Sequence, residues 1–125
     1  MKGYTVEKRR IPSPAGEMKI LILQPSERAL PPEKTPGILW IHGGGYATGM
    51  AGMIYMSRAL PLVKKYGAVV VTPEYRLSGK APYPAALEDC YAALLYLRDH
   101  ARALGCNPDF FYLHSRLHFL RNKLR

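Results

Sequence analysis

Long apolar runs are missing from this 125-residue chain. No segment approaches the roughly 20 apolar residues that span a bilayer, and the N-terminal "MKGYTVEKRR" lacks the apolar stretch of a secretory signal. Cysteine is scarce, with only Cys90 and Cys106. The helix predicted between them would hold them about 24 Å apart, whereas a disulfide needs Cα atoms within about 7 Å. We therefore expect free thiols and a cytoplasmic protein.

The last part of the chain lacks acidic residues altogether, and it has no glycine after Gly105. All nine Asp and Glu residues lie in residues 1–109, so the net charge of +9 is unevenly distributed. The basic residues of the final segment are Arg116, Arg121, Lys123 and Arg125. We predict two units on this basis: residues 1–109 form part of a folded domain, and residues 110–125 form a basic amphipathic tail.

Strand patterns dominate the first half of the chain. "YTVEKRRI" and "MKILILQ" alternate in polarity on either side of a Pro/Gly turn, which predicts an antiparallel hairpin. The runs "GILWI" (37–41) and "GAVVVT" (67–72) are continuously apolar, as is typical of parallel strands buried on both faces. A crossover helix ending at Gly67 is predicted between these two strands. Pro61 either begins this helix or kinks it.

A second helix is predicted over residues 85–105. Pro84 stands at its start, basic residues lie near its end, and Gly105 follows it. Its apolar residues recur at helical spacing: Leu87, Tyr91, Leu94, Leu95 and Leu104. A hairpin followed by strand–helix–strand–helix predicts an α/β fold.

The run "ILWIHGGGYATG" places three glycines directly after the first buried strand. A dinucleotide fingerprint fails because Thr48 stands where the third glycine is required, and a P-loop fails because Met50 replaces its lysine. A second interpretation is an oxyanion hole, in which main-chain N–H groups stabilise a tetrahedral acyl intermediate and side chains would block the substrate. A third is a flexible turn. The strand before the run, Tyr46 after it and a second motif downstream favour the oxyanion hole.

That second motif makes the pattern specific. "HGGGY" (42–46), together with "EYRL" and "APYPAALED" within residues 74–89, resembles the hormone-sensitive-lipase-type branch of the α/β-hydrolases. Its members are carboxylesterases and acetyl esterases, and the resemblance covers about residues 4–109. It implies a serine esterase acting on small, rather apolar acyl esters, without a metal or another cofactor.

The resemblance also assigns roles to individual residues. The N–H groups of Gly44 and Gly45 would form the oxyanion hole. The residues that would support this loop are His42, Gly43 and Tyr46, and Tyr46 stands where the family often has Trp or Phe. The residues that would tie the downstream loop to the second helix are Arg76, Glu88 and Asp89.

The rest of the catalytic machinery is not visible in this sequence. The nucleophile elbow G-x-S-x-G is missing, because Ser115 has Leu113 and Leu117 where the elbow needs glycines. We therefore assign no nucleophile. His114 and His118 are four residues apart, but two histidines are too few for a zinc site.

Residues 110–125 allow two structural interpretations. Apolar residues at helical spacing predict an amphipathic helix with a basic face: Phe110, Leu113, Leu117, Leu120 and Leu124. Alternatively, "FFYLH" forms the next strand of the sheet. We consider three origins for this segment: a frameshift or truncated gene product, a divergent tail, or one part of a split or oligomeric enzyme.

We thus expect the N-terminal portion of a carboxylesterase-type α/β-hydrolase, without its later strands and inactive alone. An exposed edge of the "GILWI" strand would favour self-association. The alternative function is a non-enzymatic binding module whose basic tail docks on an anionic membrane or a partner. No nucleic-acid motif is present, so no nucleic-acid partner is expected.

Overall fold

A computed structural model describes residues 3–14, 16–28, 30–41, 59–76, 84–109 and 111–115. Within these residues, five strands form one mixed sheet in the order β1-β2-β4-β3-β5. The strands are β1 (Tyr4–Ser13), β2 (Gly16–Pro25), β3 (Gly37–Ile41), β4 (Val69–Pro73) and β5 (Phe111–Ser115). The helices are α1 (Ala59–Tyr66), α2 (Ala85–Asp99) and α3 (Ala101–Leu104), and a short 3₁₀ helix (Pro32–Lys34) precedes β3.

The predicted α/β architecture is confirmed. β1 and β2 form the antiparallel hairpin, and β2 pairs antiparallel with β4. β3 pairs parallel with both β4 and β5, and every residue of β3 and β4 is buried. The continuous apolar runs were informative because strands covered on both faces have no solvent-facing side to carry polar residues.

Two apolar cores cover the two faces of the sheet. On one face, Ala59 and Val63 of α1 pack with Ile38 and Trp40 of β3. On the other face, α2 and α3 pack against a cluster that includes Leu39 of β3. Each fully buried aliphatic side chain in these cores contributes roughly 2 kcal/mol to stability. Successive side chains of β3 point to opposite faces of the sheet, so this one strand contacts both helix layers.

Helix α1 has Pro61 in its first described turn, where the missing N–H of proline is tolerated. The second predicted helix is interrupted, because the backbone of His100 leaves the helical region between α2 and α3. Its buried face differs from the set of large apolar residues that recur at helical spacing. Tyr91 is 52% exposed, and the fully covered positions on α2 include Cys90 and Ala93. Small side chains at these positions let the helix lie close to the sheet.

A helix and a strand were the two structures predicted for the segment that follows Asp109, and one of these predictions is wrong. Residues 111–115 form β5, so the helical interpretation is wrong for these residues and the strand interpretation is confirmed. Because β5 pairs with β3, the expected exposure of the "GILWI" edge is also wrong. In the described sheet, that edge position belongs to β5. Phe110 and residues 116–125 lie outside the described residues, and the proposed boundary at residue 109 stays a prediction.

The end of α3 forms a compact C-cap. Gly105 adopts φ +82°, the N–H of Cys106 donates to the Ala101 carbonyl and the N–H of Gly105 donates to the Arg102 carbonyl. These two bonds define a Schellman motif. The Arg28 guanidinium then donates to the carbonyls of Leu104 and Gly105 at 2.7 and 2.8 Å. The chain after β2 is thereby fastened to the chain that leads into β5.

We expect Gly105→Ala to destabilise the fold more than Gly67→Ala. Both glycines have left-handed backbones, which cost a side-chain-bearing residue about 1–2 kcal/mol. A Cβ at Gly67 would lie at an ordinary 3.5 Å from Leu30, whereas at Gly105 it would lie 2.6 Å from an Arg28 nitrogen. Urea unfolding should show an additional loss of about 1 kcal/mol for Gly105→Ala, through the displaced Arg28 hydrogen bonds. Equal losses at both positions, or no reduction of the difference in an Arg28→Ala background, would contradict this account.

Candidate active-site edge of the sheet

The carboxyl ends of β3, β4 and β5 lie at one edge of the sheet, because the three strands run parallel. Ile41 is the last residue of β3, and its register partner is Ser115, the last residue of β5. In open α/β sheets, ligands bind outside the carboxyl ends of the strands. Ile41 and Ser115 therefore end their strands side by side at the edge where a site is expected.

The predicted oxyanion residues follow Ile41 directly in the sequence. Gly44 and Gly45, and the supporting residues His42, Gly43 and Tyr46, lie outside the described residues. Their roles stay predictions. Among the described residues, this edge is instead defined by the strand ends and by the chain that leaves β4.

Arg76 and Asp89 are brought together at this edge. The carboxylate of Asp89 accepts hydrogen bonds from Nε and Nη2 of Arg76 at 3.0 and 3.1 Å, and from the main-chain N–H of Arg76 at 2.9 Å. The Asp89 side chain is 2% exposed and that of Arg76 is 33% exposed. A paired, fork-like geometry of this kind is available to arginine but not to lysine. The contact ties the chain after β4 to the first turns of α2.

Glu88, the third residue of the predicted cluster, has a different environment. It is exposed on α2 and contributes only through its charge, as a minor cause of the raised pKa of Arg76. The hydrogen bond to Asp89 is the main cause of that raised pKa. Arg76 therefore stays charged at every pH at which the protein is folded, and the anchor is the Arg76–Asp89 pair.

A cavity of about 230 Å³ lies beside this anchor, between the hairpin and the chain that follows β4. Its described lining is mostly charged: Arg10, Ser13, Glu17, Met18, Lys19, Glu74, Arg76 and Asp89. Charged walls do not suit an apolar acyl chain, because such walls would lose their hydration without gaining a partner. The charged side chains of this lining suit a polar ligand better than an apolar acyl chain.

The two cysteines do not supply an alternative nucleophile. Both are free and buried, and burial raises the pKa of each thiol. The charge of Asp89 raises the pKa of Cys90 further, whereas Arg28 partly offsets the rise at Cys106. Since the thiolate is the reactive form, these thiols are unreactive while the protein is folded.

The contacts that hold the opposite ends of these strands were not predicted from the sequence. Asn107 bonds to carbonyls before β3, and Arg28 bonds to carbonyls after α3. Their partners lie more than 70 positions away in the chain. No local pattern identifies such pairs.

Comparisons with known proteins agree on one class. An AB hydrolase superfamily protein from Schizosaccharomyces pombe is 34% identical over 108 residues, which cover 86% of this chain and 31% of that protein. The structure of a bacterial heroin esterase matches with a TM-score of 0.79 and 33% identity, over 89% of this chain and 34% of that one. An esterase from Pyrobaculum calidifontis matches with a TM-score of 0.75 and 29% identity, over 87% of this chain and 34% of that one.

The fold is thus the N-terminal part of an α/β-hydrolase of the carboxylesterase type. The BD-FAE family model matches residues 22–115, about three quarters of the chain, and the chain belongs to the BD-FAE family. It spans about a third of the length of the relatives it matches. The family match includes β5, which lies beyond the predicted boundary at residue 109. No helix among the described residues is long and apolar enough to cross a membrane.

We expect Asp89→Asn to lower the free energy of unfolding by about 2 kcal/mol. Removing one partner of a buried ion pair costs about 3–5 kcal/mol, and the partial exposure of Arg76 reduces this cost because water can solvate the released charge. Chemical denaturation monitored by circular dichroism would measure the loss. The matched control is Asp99→Asn, which removes an exposed carboxylate paired with Arg98 and should leave stability nearly unchanged. Similar losses in the two variants would exclude the anchor role of Asp89.

Proposed function

We propose that this chain is the N-terminal portion of a serine carboxylesterase-type α/β-hydrolase that acts on short-chain acyl esters. The observation that carries the proposal is the position of Ile41. It ends a doubly buried strand at the carboxyl edge of the sheet, and the glycine run follows it directly. Membership of the BD-FAE family supports the same reaction class. Relatives described as esterases, such as the heroin esterase and the Pyrobaculum enzyme, support an ester substrate for the whole protein.

In the proposed mechanism, the N–H groups of Gly44 and Gly45 stabilise the negative oxygen that forms when a serine attacks the ester carbonyl. One such donor contributes on the order of 3 kcal/mol to the transition state. The acyl-enzyme is then hydrolysed by water. Glycine is required because the N–H groups must approach the substrate without a side chain in between.

This chain contributes the oxyanion half of that mechanism but no assigned nucleophile. Ser115 ends β5, and Leu113 stands where an elbow would carry a glycine. The residues that attack the ester and transfer protons would come from the part of the relatives that this chain does not cover. We therefore propose that the chain has little or no esterase activity alone.

An assay with short-chain nitrophenyl esters tests this proposal in two parts. The chain alone should give no turnover above background, and Ser115→Ala should change nothing. A chimera in which residues 22–115 replace the matching segment of the Pyrobaculum calidifontis esterase should be active. In that chimera, Gly44→Pro removes one oxyanion donor and should lower kcat by about 10²–10³-fold with little change in KM.

The matched control is Gly49→Pro, which places a proline in the same glycine-containing run at a residue with no assigned role. It should lower kcat far less than Gly44→Pro does. Full activity of the Gly44→Pro chimera, or turnover by the chain alone that Ser115→Ala abolishes, would refute the proposed mechanism.

We also propose that the chain self-associates through the outer edge of β5. Among the described residues, β5 is the last strand at its end of the sheet, and edge strands bind further strands unless charges or proline protect them. β1, at the other end of the described sheet, carries Lys8, Arg9, Arg10 and Pro12. The β5 sequence "FYLHS" has none of these protecting residues.

Sedimentation velocity should detect concentration-dependent association of the chain. Tyr112→Lys places a charge on β5 at a residue that is 55% exposed, and it should shift the distribution toward monomer. Tyr91→Lys changes a residue of similar exposure on α2 and should not. A monomeric wild-type chain with a sharp, cooperative unfolding transition would contradict the proposal.

A further inference from the structure

Asn107 makes three hydrogen bonds in the short segment between α3 and β5. Its main-chain N–H donates to the Thr35 carbonyl at 3.0 Å, and its side-chain Nδ2 donates to the Glu33 carbonyl at 2.8 Å. Its Oδ1 accepts the N–H of Asp109 at 2.8 Å. The first two bonds join separate parts of the chain, whereas the third forms a local turn that directs the backbone toward β5.

The carbonyls that receive these bonds are themselves fixed. Thr35 is buried, and its hydroxyl donates to the Pro31 carbonyl at 2.9 Å. The next residue, Pro36, accepts the N–H of Val69 at the start of β4. Asn107 therefore binds a part of the chain that is already connected to β4 and that leads directly into β3.

A fixed contact outside the strand is needed to set the register of β5, because its pairing with β3 is short and parallel. The register extends from Gly37 opposite Phe111 to Ile41 opposite Ser115. A parallel pair has no hairpin turn to set its register, and a slip of one residue moves the strand by about 3.3 Å and exchanges its two faces. Such a slip would change which residue leaves the sheet beside Ile41.

We infer that Asn107 is a positioning residue that sets the register of β5 on β3 through its side-chain bond to Glu33. It thereby determines which residue of β5 reaches the carboxyl edge beside the start of the glycine run. The functional consequence rests on the proposed esterase site, whereas the register itself does not.

Cysteine cross-linking measures the register directly. Strand neighbours are about 4.8 Å apart, within the Cα range of a disulfide. The pair Ile41→Cys with Ser115→Cys should therefore oxidise efficiently, and the pair Ile41→Cys with Leu113→Cys should not. The native thiols, Cys90 and Cys106, are replaced by alanine, and oxidation is carried out during refolding because Ile41 is itself buried in the folded chain.

Two substitutions separate the parts of the Asn107 network. Asn107→Ala removes both side-chain bonds. Asn107→Asp keeps an acceptor for the Asp109 N–H but cannot donate to the Glu33 carbonyl. Both should lower the yield of the in-register disulfide at least tenfold and should increase amide exchange in residues 111–115 by a similar factor. Residues 4–13 and 16–25 of the hairpin should keep their protection.

The matched control is Glu33→Ala, which leaves the accepting carbonyl in place and should preserve the in-register disulfide. Wild-type cross-linking in Asn107→Asp would overturn the inference, because the local turn alone would then set the register. A uniform loss of protection in all strands, or failure of both variants to fold, would also overturn it in favour of a general structural role.

The same experiment distinguishes this inference from the proposed function. In the chimera, Asn107→Asp should lower kcat with little change in KM, because it shifts the strand beside the oxyanion loop without removing a substrate contact. An inactive chimera with native Asn107 and an intact register would refute the esterase proposal alone. An active chimera whose register does not depend on Asn107 would refute the positioning role alone.

Discussion

Pairing of β3 with a strand on each side, together with apolar cover on both of its faces, is the interaction on which the other elements depend. β4 and β5 take up its main-chain hydrogen bonds. The helix layers on either side pack against alternate residues of the same five-residue strand. Ile41, the last residue of this strand, is thereby held in place, which is the support that the proposed oxyanion loop would require.

The two ends of the parallel strands are held by different chemistry. At the carboxyl edge, the buried charge of Asp89 is balanced by the arginine that follows β4. At the opposite edge, Arg28 and Asn107 bind main-chain carbonyls. The carbonyls that Arg28 binds are among those left unpaired at a helix C-terminus. The exposed Arg28 and the neutral Asn107 locate the strands without adding a buried charge, whereas the ion pair at the site edge holds the chain that follows β4.

The structural features that could be predicted are those encoded by residues that are consecutive in the sequence. Continuous apolar runs identified β3 and β4, and the Pro/Gly turn identified the hairpin. The apolar spacing identified the helix α2 but not its buried face, which includes the small Cys90 and Ala93 and leaves Tyr91 exposed. β5 was ambiguous because its few apolar residues fit either periodicity, and pairing with β3 decides between them. Contacts of Asn107 and Arg28 were not predictable, since carbonyls distant in the chain have no signature in the sequence.

The parallel pairing of β3 with β5 has a consequence for biosynthesis. The polypeptide of α1, β4, α2 and α3 lies between these two neighbouring strands. A ribosome therefore completes the most apolar strand of the sheet long before it makes the strand that covers its second edge. During that interval, the backbone N–H and C=O groups along this edge of β3 have no strand to pair with. Contacts between segments this distant in sequence form slowly as a rule, and an unpaired strand edge is open to aggregation until they form.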